Sequence, residues 1–555
     1  MEQCNQEIQI ETAMDSSLGS FLLRYLTLTT LKQQIQIPYQ SSQAVQLSSN
    51  TDQVDSELDE NSLQDLEIFK FQSISIQNYF INYINHIEST KILIELSYQP
   101  NSYTLFQTIF QMICSNRFIQ KVHLKFHYQM EAKEVNLLRD LMRKSALVEF
   151  KLTLEHNQIV TNTFTVISEV LKQSETLKSF SLEILNFPIK SIDTEILSKG
   201  IAANKSLKEI EIVSYFLIHE YNLIVDAISK LEQLEIVKLD LTYSTDYISD
   251  AIEQIGLQIA GKLKYLKEIY IQFKHFRIID NNAIVKLLEC VYANQSITTI
   301  SIQFPFTTLD IEDFNPYNQV AQRNQPINLH LDIRIASNSA MDYLLQIFRL
   351  NTFKILEIKS FKNIHTRLTR LLNSQIMYDQ KIEQLNIQCS YTDLIQLDEG
   401  LSSNSLLNSV SLIIKFDTID FIKLKEIGNT LQKIPKLSHL NLVFSDCKYD
   451  VKHLTNLIVN KLSSKQFMVY MRLTLFKYSS KQDQLIQFFE DNLHSRVILD
   501  INPHNYTIHD PYLHIINIMA REQLVVISKI FYFNQNIAPL LHYNPQFIFS
   551  DLYID

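Results

Sequence analysis

The chain has 555 residues, which is more than one ordinary hydrophobic core holds, so it must form several domains or a repetitive array of stacked units. Hydrophobic residues make up 46% and charged residues 20%, a composition that excludes disorder for most of the chain. The formal net charge of −10 gives no electrostatic reason to expect nucleic-acid binding, and no apolar stretch reaches the roughly 20 residues that span a bilayer.

Residues 1–90 are predicted to form an N-terminal cap followed by a linker. Residues 40–65 are rich in Ser, Gln and Asp and lack apolar periodicity, which is typical of a linker or a loose acidic loop. The first residues lack the basic flank and apolar run of a secretory signal. The 5 cysteines are odd in number and far apart, which favours a reducing compartment. We therefore expect a cytoplasmic protein.

Residues 91–501 contain a recurring pattern, in which an amphipathic stretch is followed by a leucine-like residue and a short alternating segment. Five clear copies end at Ile184, Val213, Phe304, Ile414 and Phe444. Weaker copies fill the gaps at a spacing of about 25 to 32 residues, which is typical of a solenoid. Within each copy the apolar period changes from helical to two, which predicts a helix followed by a strand.

Stacking such units would give an α/β fold with a parallel inner β-sheet and a layer of outer helices. Because neighbouring strands lie closer together than neighbouring helices, the stack is expected to curve into a horseshoe. The pattern L..GL..N.SL..L.L, quoted from Leu197 to Ile212, resembles the helix-containing leucine-rich repeats of the ribonuclease-inhibitor class. The resemblance implies a leucine-rich-repeat solenoid.

Two observations concern asparagine. The asparagine that this family places after the strand is replaced in successive units, by Tyr215, Ser244, Lys274, Pro305, Ser390 and Ser445, so we expect an irregular solenoid without that ladder. Asn204, Asn294 and Asn505 match the N-x-S/T acceptor pattern for glycosylation. Without an export signal, we interpret these three matches as chance.

No catalytic, cofactor or metal motif is found in the sequence. The 6 glycines have no phosphate-loop spacing, and no serine lies in a G-x-S-x-G turn. His504, His509 and His514, with Asp510, lack the intervals of a known metal site. The sequence therefore predicts a protein that is not an enzyme and has no cofactor.

The alternation within each strand identifies the side chains that point away from the core. They are Lys121, His123, Lys125, His127 and Lys151 in the early units, Glu183, Glu209, Glu211, Asp240 and Glu268 in the middle, and Arg334 and Arg472 later. Their change from basic to acidic is typical of a concave surface that binds an elongated protein of opposite charge order. The alternative is that exposed strand faces are simply polar.

Residues 502–555 break the period and are predicted to form a C-terminal cap with an aromatic tail. The tail contains Tyr543, Phe547, Phe549 and Tyr553. These side chains either pack within the cap or dock onto a partner protein.

These features together predict a non-catalytic protein–protein interaction scaffold, either a subunit or an adaptor of a larger assembly. The Ran GTPase-activating proteins look similar in repeat class, but they use an exposed arginine on an early repeat, where this chain has lysine and histidine. A ubiquitin-ligase substrate receptor would need an N-terminal helical adaptor domain, which residues 1–90 do not show. The Gln-, Asn- and Ile-rich composition suggests a ciliate, where similar repeat proteins occur in the axonemal dynein regulatory complex, so a cytoskeletal or ciliary location is a further alternative.

Overall fold

The architecture is given by a computed structural model of the protein. It describes residues 66–71, 91–96, 102–127, 130–155, 162–215, 218–240, 249–273, 280–309, 322–323, 325–335, 338–359, 366–378, 381–415, 421–445, 470–476, 497–502, 530–533 and 552–554. The chain divides into two compact units, Met1–Leu154 and Glu155–Asp555.

Unit 1 contains a parallel sheet with helices between its later strands. Its elements are β1 (Leu66–Phe71), β2 (Lys91–Leu96), α1 (Ser102–Ser115), β3 (Lys121–Phe126), α2 (Ala132–Met142) and β4 (Glu149–Leu154). Each strand pairs in parallel with the next along the chain. β1 lies within residues 1–90, so the parallel pairing extends into the segment predicted as the cap.

In the part of unit 2 that the structure describes, twelve parallel strands of one sheet each pair with the next in chain order. The strands are β5 (Ser179–Pro188), β6 (Glu209–Tyr215), β7 (Ile236–Asp240), β8 (Glu268–Gln272), β9 (Thr299–Leu309), β10 (Ile327–Ile335), β11 (Phe353–Lys359), β12 (Gln384–Cys389), β13 (Ser409–Lys415), β14 (His439–Ser445), β15 (Tyr470–Phe476) and β16 (Val497–Asn502).

The described helices of unit 2 alternate with these strands. They are α3 (Asn162–Gln173), α4 (Ser191–Ala203), α5 (Ile218–Ile228), α6 (Ser249–Gln254) with the π-helical continuation Ile255–Ala260, α7 (Asn281–Ala293), α8 (Asn338–Leu350), α9 (Thr366–Tyr378), α10 (Tyr391–Gln396), α11 (Asp398–Ser403) and α12 (Phe421–Lys433). Toward the C-terminus, β17 (Ile530–Phe533) and β18 (Leu552–Ile554) form a separate parallel pair.

The strands have one buried face and one accessible face because their apolar residues recur with a period of two. In β3, Val122, Leu124 and Phe126 are fully buried, and the residues between them are half-buried. Full burial of each such side chain contributes about 1.5 to 3 kcal/mol. Consecutive helices also pack against each other, and their apolar faces complete the core. The predicted α/β leucine-rich-repeat solenoid is therefore confirmed.

The glycine of the repeat pattern marks the closest approach between neighbouring helices. A Cβ atom on Gly200 in α4 would lie 2.5 Å from the Cα of Ser168 in α3. A Cβ atom on Gly400 would lie 2.5 Å from the carbonyl oxygen of Asn373 in α9. Any larger residue at these two positions would push adjacent repeats apart.

The asparagine of the pattern joins each repeat to the preceding one. Asn204 follows α4, and its Nδ2 donates to the carbonyl of Leu171 in the preceding repeat at 2.6 Å. Its Oδ1 accepts from the backbone N–H of Leu207 at 2.8 Å. Asn294 and Asn404 make the same kind of contacts in their own repeats. An asparagine therefore bonds to the preceding repeat at three separate junctions, each time after the helix and not after the strand.

Other residue types take this position in other repeats. The Nζ of Lys144 donates to three carbonyls of the preceding turn, including those of Ile113 at 2.8 Å and Ile119 at 2.5 Å. Burial lowers the pKa of Lys144 to about 8. In the repeat that leads to β10, the buried guanidinium of Arg323 donates to the carbonyl of Ile297. We call these donors, Lys144, Asn204, Asn294, Arg323 and Asn404, the junction donors.

Candidate protein-binding surface

The strand face is the set of strand side chains that alternate with the buried core residues. In unit 1 it carries Lys121, His123 and Lys125 on β3 and Lys151 on β4, all half-buried. His127 follows β3 directly and is also half-buried. We call these five residues the basic patch.

One carboxylate lies within the basic patch. Glu149 on β4 accepts from Lys121 at 3.3 Å and contacts Nε2 of His123 at 2.7 Å. The strand register brings the three residues together, because Lys121 is the direct partner of Glu149 in the parallel ladder. Glu149 thus orients Lys121 and His123, and a second glutamate, Glu95 on β2, is the ladder partner of Lys125.

A group of acidic residues lies on the strand face of β5 to β8 in unit 2. Its members are half-buried and alternate with core residues: Glu183, Glu209, Glu211, Asp240 and Glu268. Lys238 is the one basic residue at the strand-face positions of these four strands. We call the five acidic residues the acidic patch.

Lys238 links two sides of the acidic patch. Its Nζ lies 3.1 Å from Oε1 of Glu209 on the preceding strand and 5.6 Å from the ring centroid of Tyr270 on the following one. The hydroxyl of Tyr270 donates to Glu268 at 2.9 Å. The cation–π contact and the hydrogen bond hold Tyr270 in place on β8, the last strand of the patch.

Neutral donors satisfy the other carboxylates for which a contact is described. Ser181 Oγ donates to Oε2 of Glu211 at 2.6 Å. Gln272 Nε2 donates to Oδ2 of Asp240 at 3.0 Å. These two bonds add no positive charge to the acidic patch, and they hold the carboxylates in place.

The strand face of β10 and β11 contains one compact ion-pair cluster. His330 Nδ1 lies 2.7 Å from Oε2 of Glu357, and Lys359 contacts the other carboxylate oxygen. Burial alone would raise the pKa of Glu357, but the hydrogen bond from His330 and the charge and hydrogen bond of Lys359 lower it to about 2. Glu357 is therefore ionised at any physiological pH.

The described side chains on the strand face of β12 to β14 are uncharged apart from one histidine, and Lys415 occupies the last strand-face position of β13. Asn386, Ser411 and Asn441 are direct neighbours in the ladder, and Asn441 Nδ2 donates to Ser411 Oγ at 3.2 Å. The other strand-face positions with described side chains are Gln384, Gln388, Ser409, Ile413, His439 and Val443. We call these nine residues the neutral patch.

The remaining residues predicted for binding are only partly covered. Arg334 lies in β10 and Arg472 in β15, but their side chains are outside the described residues. Tyr553 lies in β18, and Tyr543, Phe547 and Phe549 are outside the described residues. The structure therefore brings together the basic patch within unit 1 and the acidic patch within unit 2.

Sequence reasoning missed Glu149, Lys238 and Tyr270, which organise the two patches. The signal was available, because each lies two residues from another strand-face residue of the same strand. It missed the role of Asn204 and Asn294 for a different reason, since their partners lie about one repeat earlier in the chain. Asn204 is only 4% exposed, so its match to the N-x-S/T glycosylation pattern lies in the buried core.

The described part of the chain contains neither a metal-binding cluster nor a membrane-spanning helix. Within it, no group of three or more His, Cys, Asp or Glu side chains is arranged to hold a metal ion. No described helix is both long enough and apolar enough to cross a membrane.

Comparison with known proteins gives matches among solved structures. No protein-family model matches the chain, and no curated protein matches it. Among solved structures, the chain is similar to a chain in the crystal structure of the Rad7 and Elc1 complex in yeast, with 12% sequence identity and a TM-score of 0.40. The match covers 72% of this chain and 87% of that chain. The leucine-rich-repeat fold is evident from the parallel strand order and the alternating helices themselves.

Proposed function

We propose that this protein is a non-catalytic protein-interaction scaffold, a subunit or adaptor of a larger assembly, that binds partner proteins through its strand face. The observation that carries the proposal is that the charge of the strand face varies from strand to strand, while the buried core residues of the strands keep the same alternation. The basic, acidic and neutral patches lie on strands whose core residues alternate in the same way. Stacked repeats offer a long surface whose side chains vary while the core stays the same.

The chemistry of the acidic patch suits a binding surface. Its carboxylates are half-buried and held by neighbours, so little side-chain entropy is lost when a cationic partner binds. Tyr270 adds an aromatic group of the kind enriched where proteins bind each other. Charge complementarity of this kind raises the association rate and selects against partners of the same sign.

We place the assembly in the cytoplasm. The Gln-, Asn- and Ile-rich composition of the chain favours a cytoskeletal or ciliary location. The described cysteines, Cys114, Cys290 and Cys389, form no disulfide, which supports a reducing compartment. We assign residues 91–501 to the repeat array, with residues 1–90 and 502–555 as its two terminal regions.

The test is affinity purification of the tagged full-length chain, with partners identified and quantified by mass spectrometry. One variant neutralises the acidic patch by changing Glu183, Glu209, Glu211 and Glu268 to Gln and Asp240 to Asn. A matched control neutralises five exposed acids on the helices and junctions, Glu175, Glu195, Asp226, Glu232 and Glu253. We expect a defined partner set to be lost from the acidic-patch variant and retained by the control.

A third variant ends before Asn502 and lacks the aromatic tail. If partner binding is lost only from this truncated chain and survives in the acidic-patch variant, the tail and not the strand face carries the interaction. Retention of every partner by both full-length variants would also contradict the proposal for the acidic patch.

A further inference from the structure

A second charged surface of unit 2 lies at the edge of the sheet where the strands begin. Four successive junctions connect a helix end to the start of β5, β6, β7 and β8, and they comprise residues 174–178, 204–208, 229–235 and 261–267. Their charged residues are seven lysines and three glutamates, with no arginine: Lys178, Lys205, Lys208, Lys230, Lys262, Lys264, Lys267, Glu175, Glu232 and Glu235. We call these four junctions the lysine rim.

The lysine rim is a continuous edge because the backbone ladder extends one residue before the strands. The N–H of Lys208 donates to the carbonyl of Lys178 at 2.7 Å. In the same way, Glu235 donates to Lys208 and Lys267 donates to Glu235, each at 2.7 Å. The four residues therefore lie side by side at the strand spacing of about 4.8 Å, at one level of the sheet.

The fold does not require lysine at this edge. A helix end attracts cations because its last carbonyl groups carry partial negative charge. However, the equivalent junctions before β9 and β13, residues 294–298 and 404–408, contain no charged residue. Each of them is joined to the preceding repeat by an asparagine, as the junction of Asn204 is. The lysines of the rim are therefore more than the junctions need.

Two acidic residues hold part of the lysine rim in place. Glu235 accepts from Lys208 at 2.6 Å and from Lys267 at 2.5 Å. Asp226, in the last turn of α5, pairs with Lys230 at 2.6 Å. The side chains of these three lysines remain 51 to 59% exposed. They are therefore oriented by their partners and still accessible to a ligand.

The acids near the lysine rim do not cancel its charge. Beside the rim lie Lys172 and three acids, Asp226, Glu209 and Glu268, and with these four included the edge has eight lysines against six carboxylates. The other carboxylates of the acidic patch lie two to four residues further along their strands, about 7 to 13 Å behind the level of Glu209. The screening length at physiological ionic strength is about 8 Å, which weakens their repulsion of anything that meets the rim end-on.

The composition of the lysine rim favours a diffuse anionic surface as its ligand. Lysine is a flexible point charge, whereas arginine, which the rim lacks, makes planar two-bond contacts with single carboxylates or phosphates. Protein–protein interfaces are depleted in lysine. Tyr265 lies between Lys264 and Lys267 and is 63% exposed. A tyrosine ring with its polar tip is typical of the headgroup level of a membrane.

We propose that the lysine rim docks this protein on an anionic membrane surface, with Tyr265 at the level of the lipid headgroups. Each lysine near such a surface strengthens the attraction roughly fivefold. The membrane meets the edge of the sheet, so the strand face, whose side chains stand perpendicular to the sheet, stays open to a protein partner. The proposal does not rest on the proposed function, because the rim and the strand face are separate sets of residues.

The first experiment is sedimentation of the full chain with lipid vesicles. The vesicles consist of phosphatidylcholine alone or of phosphatidylcholine with about 40% phosphatidylserine, which supplies the negative surface potential. We expect binding only to the anionic vesicles. The bound fraction should fall sharply in about 0.5 M salt, where the screening length is about 4 Å.

A rim variant and a matched control separate the rim from the charge of the whole chain. The rim variant changes three lysines to Gln: Lys205, Lys262 and Lys264. It should bind the anionic vesicles at least about tenfold more weakly. The control removes the same charge from exposed lysines of unit 2 outside the rim, Lys190, Lys199 and Lys425. Its affinity should change by less than about twofold.

The second experiment uses the absence of tryptophan from the chain. Tyr265→Trp places a single tryptophan on the rim, and its emission should shift to the blue when anionic vesicles are added, because the ring leaves water for the membrane interface. Phosphatidylcholine vesicles should cause no shift. The control is Ile422→Trp on α12, where the native side chain is 64% exposed, and it should not respond to either kind of vesicle.

Three outcomes would each overturn the proposal: equal binding to neutral and anionic vesicles, equal losses in the rim variant and its control, or no shift from Tyr265→Trp. If the chain bound no vesicles but the rim variant lost a protein in the affinity purification, the rim would bind an acidic protein and the membrane proposal would be wrong. The acidic-patch variant tests the scaffold function separately, so the two failures are distinguishable.

Discussion

The acidic patch on β5 to β8 and the neutral patch on β12 to β14 lie in the same unit and on the same kind of strand. Ile212 in β6 and Leu412 in β13 are both 0% exposed, and each is flanked by strand-face residues. Yet the first patch carries five carboxylates and the second has none. Parallel pairing of the strands therefore does not require charge on the strand face, and charge there is open to use in binding.

The acidic patch also has a cost that the neutral patch lacks. Like charges on neighbouring strands repel each other, by an amount comparable to the gain from an opposite-charge pair. Ser181, Lys238 and Gln272 reduce that repulsion by bonding individual carboxylates. In the neutral patch, amides and hydroxyls bond each other directly, as Asn441 does with Ser411. The comparison predicts that core substitutions beneath either patch lower the free energy of unfolding by similar amounts. It also predicts that only in the acidic patch does a strand-face substitution remove a charge.

The largest expected effect is on the core that the two patches share. Ile212→Ala and Leu412→Ala should each lower the free energy of unfolding by about 2 to 5 kcal/mol, because each leaves a cavity in a close-packed interior. Chemical denaturation of the purified variants measures this. If one variant lost less than about 1 kcal/mol, the two regions would not rest on equivalent cores.

The next effect concerns the junction donors that support each patch. Asn204→Ala and Asn404→Ala should each cost about 2 to 3 kcal/mol, since each leaves a carbonyl of the preceding repeat and backbone N–H groups without partners. The control is Asn282→Ala at an exposed helical position, which should change stability by less than about 0.5 kcal/mol. Equal effects at all three positions would contradict a special role for the junction.

Glu357 in β11 is an intermediate case, a strand-face carboxylate that is well buried and paired on both sides. Glu357→Gln should lower stability by about 1 to 2 kcal/mol at pH 7, because His330 and Lys359 lose a charged partner. The pKa of Glu357 is about 2 in the folded chain against an ordinary value near 4.5. Its stabilisation is thus fully present above about pH 4.5 and is lost as the pH falls toward 2.

The measurement is the difference in unfolding free energy between wild type and Glu357→Gln as a function of pH. That difference should shrink as the pH falls from about 4.5 toward 2. The control is Glu383→Gln, whose partner Lys354 lies 3.6 Å away on an exposed surface. A constant difference across this range would show that the folded pKa of Glu357 is not lowered.

The smallest expected effect on stability is at the strand face itself. Glu209→Gln in the acidic patch and Ser409→Ala in the neutral patch should each change stability by no more than about 0.5 kcal/mol. Glu209 and Lys238 form a partly exposed pair, with side chains 28% and 31% exposed, so solvent screens most of their attraction. Thermal unfolding measures both variants, and a loss above about 2 kcal/mol at Glu209 would mean that the charge serves the fold.

Much of the fold could be read from the period of the apolar residues. A helical period followed by a period of two identifies helix and strand with no knowledge of neighbours, and the same alternation separates Glu211 from Ile210 and Ile212. The sequence also shows directly that the positions after the strands lack asparagine. The prediction of a missing ladder did not extend to Asn204 and its equivalents, which bond to the preceding repeat at the other end of the helix.

The sequence by itself determined the repeat, the alternation of helix and strand, and the membership of the basic and acidic patches, because each depends on residues close together in the chain. Only the tertiary structure decided which side chains bond across repeats. Lys144, Asn204 and Arg323 differ in size and charge but donate to equivalent carbonyls near the end of the preceding helix. Their common role is set by the position of the preceding helix end, roughly 30 residues earlier, and no local pattern of residue types reveals it.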